Sequence, residues 1–249
     1  MVKHLKEHES AGHSVPPEVY EELWQDDYMN FPKSPRVLVL AAGRGSRWAN
    51  HNNIAKHHIE IDGETLLNRI YRQFSQYTKD IVIVGLDESY KVGEADIFIP
   101  HEAPDVWKDM AKFYSSEEKW SKERTILVFG DVYFTDDAVE TIMKNQDTLA
   151  FFLRKEGSLK TGKRWKEIFA IGFDGSQNDT LRNHITEIID QGYATSAGGW
   201  MLYKKITNIY QNEKLFEDGT PHVVIDDLTD DFDTPDDLET WLAWRDLAI

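Results

Sequence analysis

The residues best equipped for chemistry are two glycines and two arginines crowded behind an apolar run. Val37, Leu38, Val39, Leu40, Ala41 and Ala42 lead into Gly43, Arg44, Gly45, Ser46 and Arg47, and Lys56 follows after a short polar stretch. Glycines let backbone N–H groups approach an anion closely, and arginine forks hold phosphate oxygens in pairs. The combination reads as a phosphate-gripping turn behind a buried strand. Two familiar phosphate loops do not fit. A dinucleotide fingerprint needs a third glycine where Trp48 stands, and a Walker loop needs Gly-Lys followed by Ser or Thr, which the chain lacks.

Further candidates lie downstream. Asp131 follows Gly130 at the end of the apolar run 126–129. An aspartate so placed suits Mg²⁺, which takes one or two carboxylates plus substrate phosphates; the plain alternative is a turn cap. Between 226 and 237 lie Asp226, Asp227, Asp230, Asp231, Asp233, Asp236 and Asp237, with no Lys or Arg among them. Such a run repels itself unless solvated or bound to a cation. Solvation is expected to account for most of it, leaving Asp226 and Asp230 dispensable. Arg154, Lys155, Lys160, Lys163, Arg164 and Lys166 cluster too, either to hold an anion or as a solvated loop. Ser196, Gly198, Gly199 and Trp200 suit a sugar pocket as well as a core. The loop with Asn50, His51, Asn52 and Asn53 has donors for a base edge, as many surface loops do.

These residues need a frame, and the hydrophobic pattern supplies one. Strands are expected over 36–42, 80–85, 96–100, 125–129 and 149–154, and helices over 64–77, 105–114 and 136–145, with Thr135 as an N-cap. Alternation of this kind predicts a three-layer, Rossmann-like α/β fold: a mixed, mostly parallel sheet with helices on both faces. In such sheets ligands gather at the carboxyl ends of the strands. Further strands are expected over 168–173, 184–189 and 199–203 as an antiparallel elaboration, then an irregular stretch over 216–225 and a last helix over 234–247. Residues 1–34 read as an extension with a short helix over 18–24, and 35–249 as one domain; His4, His8 and His13 lack the spacing of a metal site.

Composition narrows the class. The chain has 249 residues, 41% of them hydrophobic, which suits one large α/β domain. No apolar run is long enough to span a bilayer, and the first residues lack a secretory signal. The absence of cysteine excludes thiolate chemistry and fits a cytoplasmic setting. A net charge of −16 argues against a duplex-binding protein.

The turn also carries a resemblance. Leu40-Ala41-Ala42-Gly43-x-Gly45-x-Arg47 with the later Lys56 resembles the signature of the nucleotidyltransferases that serve sugar 1-phosphates, phosphocholine and molybdopterin. Residues 61–67 keep the pattern that follows the lysine, although Ala55 replaces the usual preceding proline. Phe232-Asp233-Thr234-Pro235 is similar to an ending common in that family. The resemblance spans about 36–247 and thins between 145 and 225, where an acceptor would be recognised. It implies an Mg²⁺-dependent enzyme of the same fold, moving a nucleotidyl group from an NTP to a phosphorylated acceptor. It implies nucleotide binding by Leu40, Ala41, Ala42, Gly43, Arg44, Gly45, Ser46 and Gly130, catalysis by Lys56 and Arg47, and metal ligation by Asp131 and Asp233, with Asp231 a weaker third. A glycosyltransferase of like architecture using a nucleotide-sugar, or a nucleotide-sensing domain without turnover, are the other readings.

Overall fold

A computed structural model describes residues 34–43, 47–48, 51, 54–101, 103–195 and 197–247. The expected helix over 18–24, the three N-terminal histidines, Arg44, Gly45, Ser46, Asn50, Asn52, Asn53 and Ser196 lie outside the described residues.

The frame is a seven-stranded sheet ordered β10 (His222–Val224), β8 (Leu149–Arg154), β9 (Glu167–Asp174), β6 (Arg124–Phe129), β1 (Arg36–Leu40), β4 (Ile81–Val84) and β5 (Asp96–Phe98). At its centre β1 lies parallel to β4 and β6, and β4 is parallel to β5. Val37, Leu38, Val39 and all of β4 and β6 are buried. Continuous apolar runs of this kind are what a strand covered on both faces requires. β9 runs antiparallel between β6 and β8, and β10 adds a parallel edge beside β8. Two helical groups complete the three-layer mixed α/β fold: α1 (Leu66–Phe74) packs with α3 (Asp136–Lys144), and α2 (Met110–Ser116), α4 (Asn178–Asp190) and α5 (Gly198–Thr207) pack in series. Thr135 caps α3 as expected, its hydroxyl accepting from the Ala138 N–H at 3.0 Å. Among the described residues no helix is long and apolar enough to cross a membrane.

Several expected elements differ. The strands expected over 184–189 and 199–203 are parts of α4 and α5; Leu181, Ile185 and Ile188 are buried at helical spacing, and that period outweighs β-branching. The antiparallel elaboration is therefore β9 alone. The irregular 216–225 contains β10. The helix expected from 64 begins at 66, because β2 (Glu60–Ile61) and β3 (Glu64–Thr65) close a tight hairpin over Asp62 and Gly63, whose φ angles are +55° and +78°. An Asp-Gly pair at positive φ is the usual two-residue hairpin turn.

A second, smaller core carries most of the positioning. Trp48, Ile59, Ile61, Leu66, Phe232 and Trp241 form it, joined by Tyr133. It lies under a short ribbon, β7 (Val132–Tyr133) paired antiparallel with β11 (Asp230–Asp231), and against α6 (Pro235–Leu247). Trp48 donates its indole N–H to the Ile54 carbonyl at 3.0 Å, and Trp241 to the Leu228 carbonyl at 3.1 Å. This core ties the segments holding Arg47 and Lys56 to the acidic C-terminal run.

That run is not the solvated loop expected. Asp230 is fully buried, accepts from Arg154 at 2.8 Å and Thr161 at 3.3 Å, and takes a short bond from Ser158. Asp226 is exposed. Breaking a buried ion pair costs about 3–5 kcal/mol, whereas a surface change costs about 0.5 kcal/mol or less. Asp230→Asn is therefore expected to lower stability in urea unfolding by an amount of that larger order, and Asp226→Asn to leave it almost unchanged. Equal effects would contradict the buried pairing.

Candidate active site

The sheet's carboxyl end opens into a cleft of about 1310 Å³. Leu40, Ala42, Gly43 and Arg47 line it from the end of β1 and the loop after it, Lys56 and His57 from the next loop, and Asp131, Asp231 and Asp233 from the ribbon and its flanks. Ala41 and Gly130 stand behind this wall. Gly130 is fixed there by packing: a Cβ on it would meet the Ala41 Cβ at 3.0 Å and the Leu40 carbonyl oxygen at 3.2 Å. The Gly130 N–H donates to that carbonyl at 3.0 Å, which closes the ends of β1 and β6 together.

Local structure explains how the charged groups meet. Lys56 opens a single 3₁₀ turn over Lys56–His58, entered through Ala55 in extended conformation. Asp131 occupies the turn between β6 and β7. The Phe232 N–H donates to the Asp131 carbonyl at 3.1 Å, so the ribbon sets Asp131 beside the 231–233 segment. Asp233 is then held by the start of α6. The Asp237 carboxylate accepts from the Asp233 N–H at 2.8 Å and the Thr234 N–H at 2.9 Å, and the Thr234 hydroxyl accepts from the Asp237 N–H at 3.2 Å. This reciprocal capping box is the role the Thr-Pro-Asp-Asp spacing encodes.

The result is one ion-pair network. Lys56 makes a short bond to Asp131 Oδ2 and stands 3.9 Å from Asp233 Oδ1. Arg47 donates to Asp233 Oδ2 at 2.7 Å. On the inner side Lys163, 1% exposed, donates to Asp231 Oδ2 at 2.5 Å and its carbonyl at 3.0 Å, and lies 3.4 Å from Asp233 Oδ2 and 3.6 Å from Asp237. Of the two expected fates of the basic cluster, Arg154 and Lys163 take neither: they are internal counter-ions of the acidic run. Arg164 and Lys166 line the cleft. Trp200 does so too, donating its indole N–H to the Lys166 carbonyl at 3.1 Å.

Burial and charge pull against each other throughout. Burial disfavours the Lys56 ammonium, but Asp131, Asp233 and Asp231 together overcome it and raise its pKa. Burial also opposes ionisation of Asp131, yet Lys56, His57 and Lys112 hold its carboxyl well below the usual range. Asp231 is pushed up to about 6 by burial, against the pull of Lys163 and with the repulsion of Asp233 and Asp131. Glu167 is pushed well above the usual carboxylate range by burial and then by Asp231. His57 is driven down to about 3, chiefly by burial.

Lys163, Glu167 and His57 carry no motif of their own. The signal for Lys163 was charge complementarity between a basic run over 154–166 and an acidic run over 226–237. Among the described residues no group of three or more His, Asp or Glu is arranged as a metal cage. Asp131 and Asp233, flanking one ammonium on the cleft wall, are the pair whose hard oxygen donors fit a cation that shares its coordination with phosphate and water.

The shift of His57 has a sign that can be tested. Between pH 6.5 and about 3 the unfolded chain protonates this residue while the folded chain does not, so its contribution to stability falls as pH falls. Replacing His57 by Gln is expected to cost stability at pH 7.5 and measurably less at pH 4.5, read from urea midpoints of both proteins. A cost that grows on acidification would contradict a neutral, buried imidazole.

Comparison with known proteins gives the family. Residues 37–161 match the model of the MobA-like NTP transferase domain. No curated protein sequence matches the chain. CTP:phosphocholine cytidylyltransferase from Streptococcus pneumoniae is similar in structure over 87% of this chain and 100% of its own, with a TM-score of 0.58 at 12% identity. Inositol-1-phosphate CTP transferase from T. maritima is similar over 83% of this chain and 93% of its own, with a TM-score of 0.54 at 15% identity. At such identities the likeness speaks for the fold, and the family model speaks for the activity class. The matched segment spans the first strand, the Gly43 turn, Lys56 and Asp131: the chain belongs to the MobA-like NTP transferase domain family and is a nucleotidyltransferase.

Proposed function

We propose that the enzyme transfers a nucleotidyl group from an NTP to a phosphorylated acceptor and releases pyrophosphate, with Mg²⁺ held by Asp131 and Asp233. The observation that carries this reading is the convergence of Lys56, Arg47, Asp131 and Asp233 on one wall of the cleft. A phosphate oxygen of the acceptor attacks the α-phosphorus in line, and the bond to the bridging oxygen of the β-phosphate breaks. Such a step asks for positioning and charge stabilisation more than covalent help from the protein. Gly43 and Arg47 bind the phosphates, and Lys56 offsets charge developing on the α-phosphate and the leaving group. Mg²⁺, when bound, neutralises phosphate charge as a Lewis acid.

The cleft has chemistry to match a phosphorylated acceptor. Arg164, Lys166 and Lys204 line it, and among the described residues none of the three forms an ion pair with a carboxylate. Unpaired cations in a chain of net charge −16 favour a phosphorylated acceptor over a neutral one. An NTP donor and the cysteine-free composition agree with a cytoplasmic site of action.

Two substitutions separate binding from turnover. Arg47→Ala is expected to weaken NTP binding by about 1.5–3 kcal/mol in calorimetry, as loss of a charge-assisted contact does. Lys56→Ala is expected to lower pyrophosphate release by about 10²–10³-fold with a much smaller loss of NTP affinity, because its charge acts mainly in the transition state. Arginine at 56 should rescue poorly, since a planar fork does not replace a compact ammonium. Equal turnover in wild type, Lys56→Ala and Lys56→Arg would remove Lys56 from the reaction.

A further inference from the structure

The two carboxylates assigned to the cation are already neutralised. The Lys56 ammonium is bonded to Asp131 and stands 3.9 Å from Asp233 Oδ1, and Arg47 takes Asp233 Oδ2 at 2.7 Å. Both side chains line the cleft, and the Arg47 side chain is 55% exposed. Lys163 approaches the same Asp233 oxygen from the sealed inner side, 1% exposed. Asp233 thus has one fixed counter-ion behind it and two exchangeable ones in front.

We propose that Lys56, assisted by Arg47, is a placeholder that keeps the free enzyme from binding a divalent cation and hands Asp131 and Asp233 over only when a triphosphate enters. The proposal rests on the reading of those two aspartates as the cation ligands. An ammonium and a dication cannot share the same two oxygens at close range, because their repulsion is strong where water is scarce. A bare metal ion must therefore expel Lys56 into the cleft with no anion to receive it. A triphosphate changes the balance, since it gives Lys56 and Arg47 phosphate oxygens to bind as they leave the carboxylates. Metal and nucleotide then favour each other's binding reciprocally. Lys163 stays in place, so Asp233 keeps a hydrogen-bonding partner throughout the exchange. The arrangement turns an acidic pocket, which would otherwise bind any free divalent ion, into one that answers to the metal–nucleotide pair.

The test uses the full chain and Mn²⁺ alone as the probe, read by the free-ion electron paramagnetic resonance signal and by the shift in melting temperature. Wild type is expected to bind Mn²⁺ at least tenfold more weakly than Lys56→Met, and only the variant should be stabilised by the ion. Adding Asp131→Asn to Lys56→Met should abolish the gain. Arg47→Gln alters a half-exposed side chain and so carries the same test without risk to the core; it should show a smaller gain in the same direction. No gain in either variant overturns the proposal. A parallel measurement keeps the two ideas apart: Mg²⁺-dependent thermal stabilisation by the four NTPs, compared between wild type and Asp131→Asn. If Asp131→Asn loses that stabilisation while Lys56→Met gains no Mn²⁺ affinity, the placeholder fails and the metal assignment stands. If Asp131→Asn loses nothing, the assignment fails and the placeholder with it.

Discussion

Everything at this site depends on how the three buried aspartates near the C-terminus, Asp230, Asp231 and Asp233, are neutralised. Burying a carboxylate without a partner is prohibitive, and the energetic tolerance of a folded chain is small. The chain meets the constraint with cations drawn from three distant segments. Arg154 is given to Asp230, Lys163 to Asp231 and Asp233, and Arg47 to Asp233, while Lys56 bridges towards Asp131. Pairing of this kind is a poor source of net stability, since desolvation offsets most of the attraction. Its value is geometric: each carboxylate has one set of partners and so one place to be. Glu167 and Asp231 mark the edge of what the cations can neutralise, because both are driven towards the protonated form.

The ion pairs could not hold this geometry alone. Charged side chains are long, and their positions follow from the backbone beneath them. The small core around Trp48, Phe232 and Trp241 supplies that backbone support. Tyr133 and Trp241 pack with ring centroids 4.5 Å apart, and Arg69 lies 4.1 Å from the Tyr133 ring centroid. The main core under the sheet fixes β1 and β6, and the small core fixes what leaves them. The segments that carry the charged groups of this wall are therefore anchored in different hydrophobic clusters, bridged by charge.

Much of the frame was legible because buried parallel strands are written as uninterrupted apolar runs. β1, β4, β6 and β8 could be read from those runs, and Asp131 stood out by following one. The glycine turn and Lys56 were legible through type and spacing, and the Thr234–Asp237 cap through its four-residue pattern. What stayed hidden is instructive. Two-residue strands such as β7 and β11 have no period to detect, yet they bring Asp131 beside Asp233. The helix α4 contains β-branched residues that suggest a strand, and only the spacing of Leu181, Ile185 and Ile188 betrays it. The acidic run looked solvated because its counter-ions lie some seventy residues earlier in sequence, as with Asp230 and Arg154. A linear reading sees two opposite charge runs; it takes a fold to show that one is buried against the other.

The proposed reaction joins an NTP's α-phosphate to a second phosphate in this cleft. The most direct measurement is ³¹P NMR of the full chain with the four NTPs, Mg²⁺ and a panel of sugar and polyol phosphates. Pyrophosphate and a new mixed phosphoanhydride are expected to appear in equal amounts, with both absent when Asp131 is replaced by Asn. Intact NTPs beside every acceptor, with a nucleotide-sugar consumed instead, would contradict it.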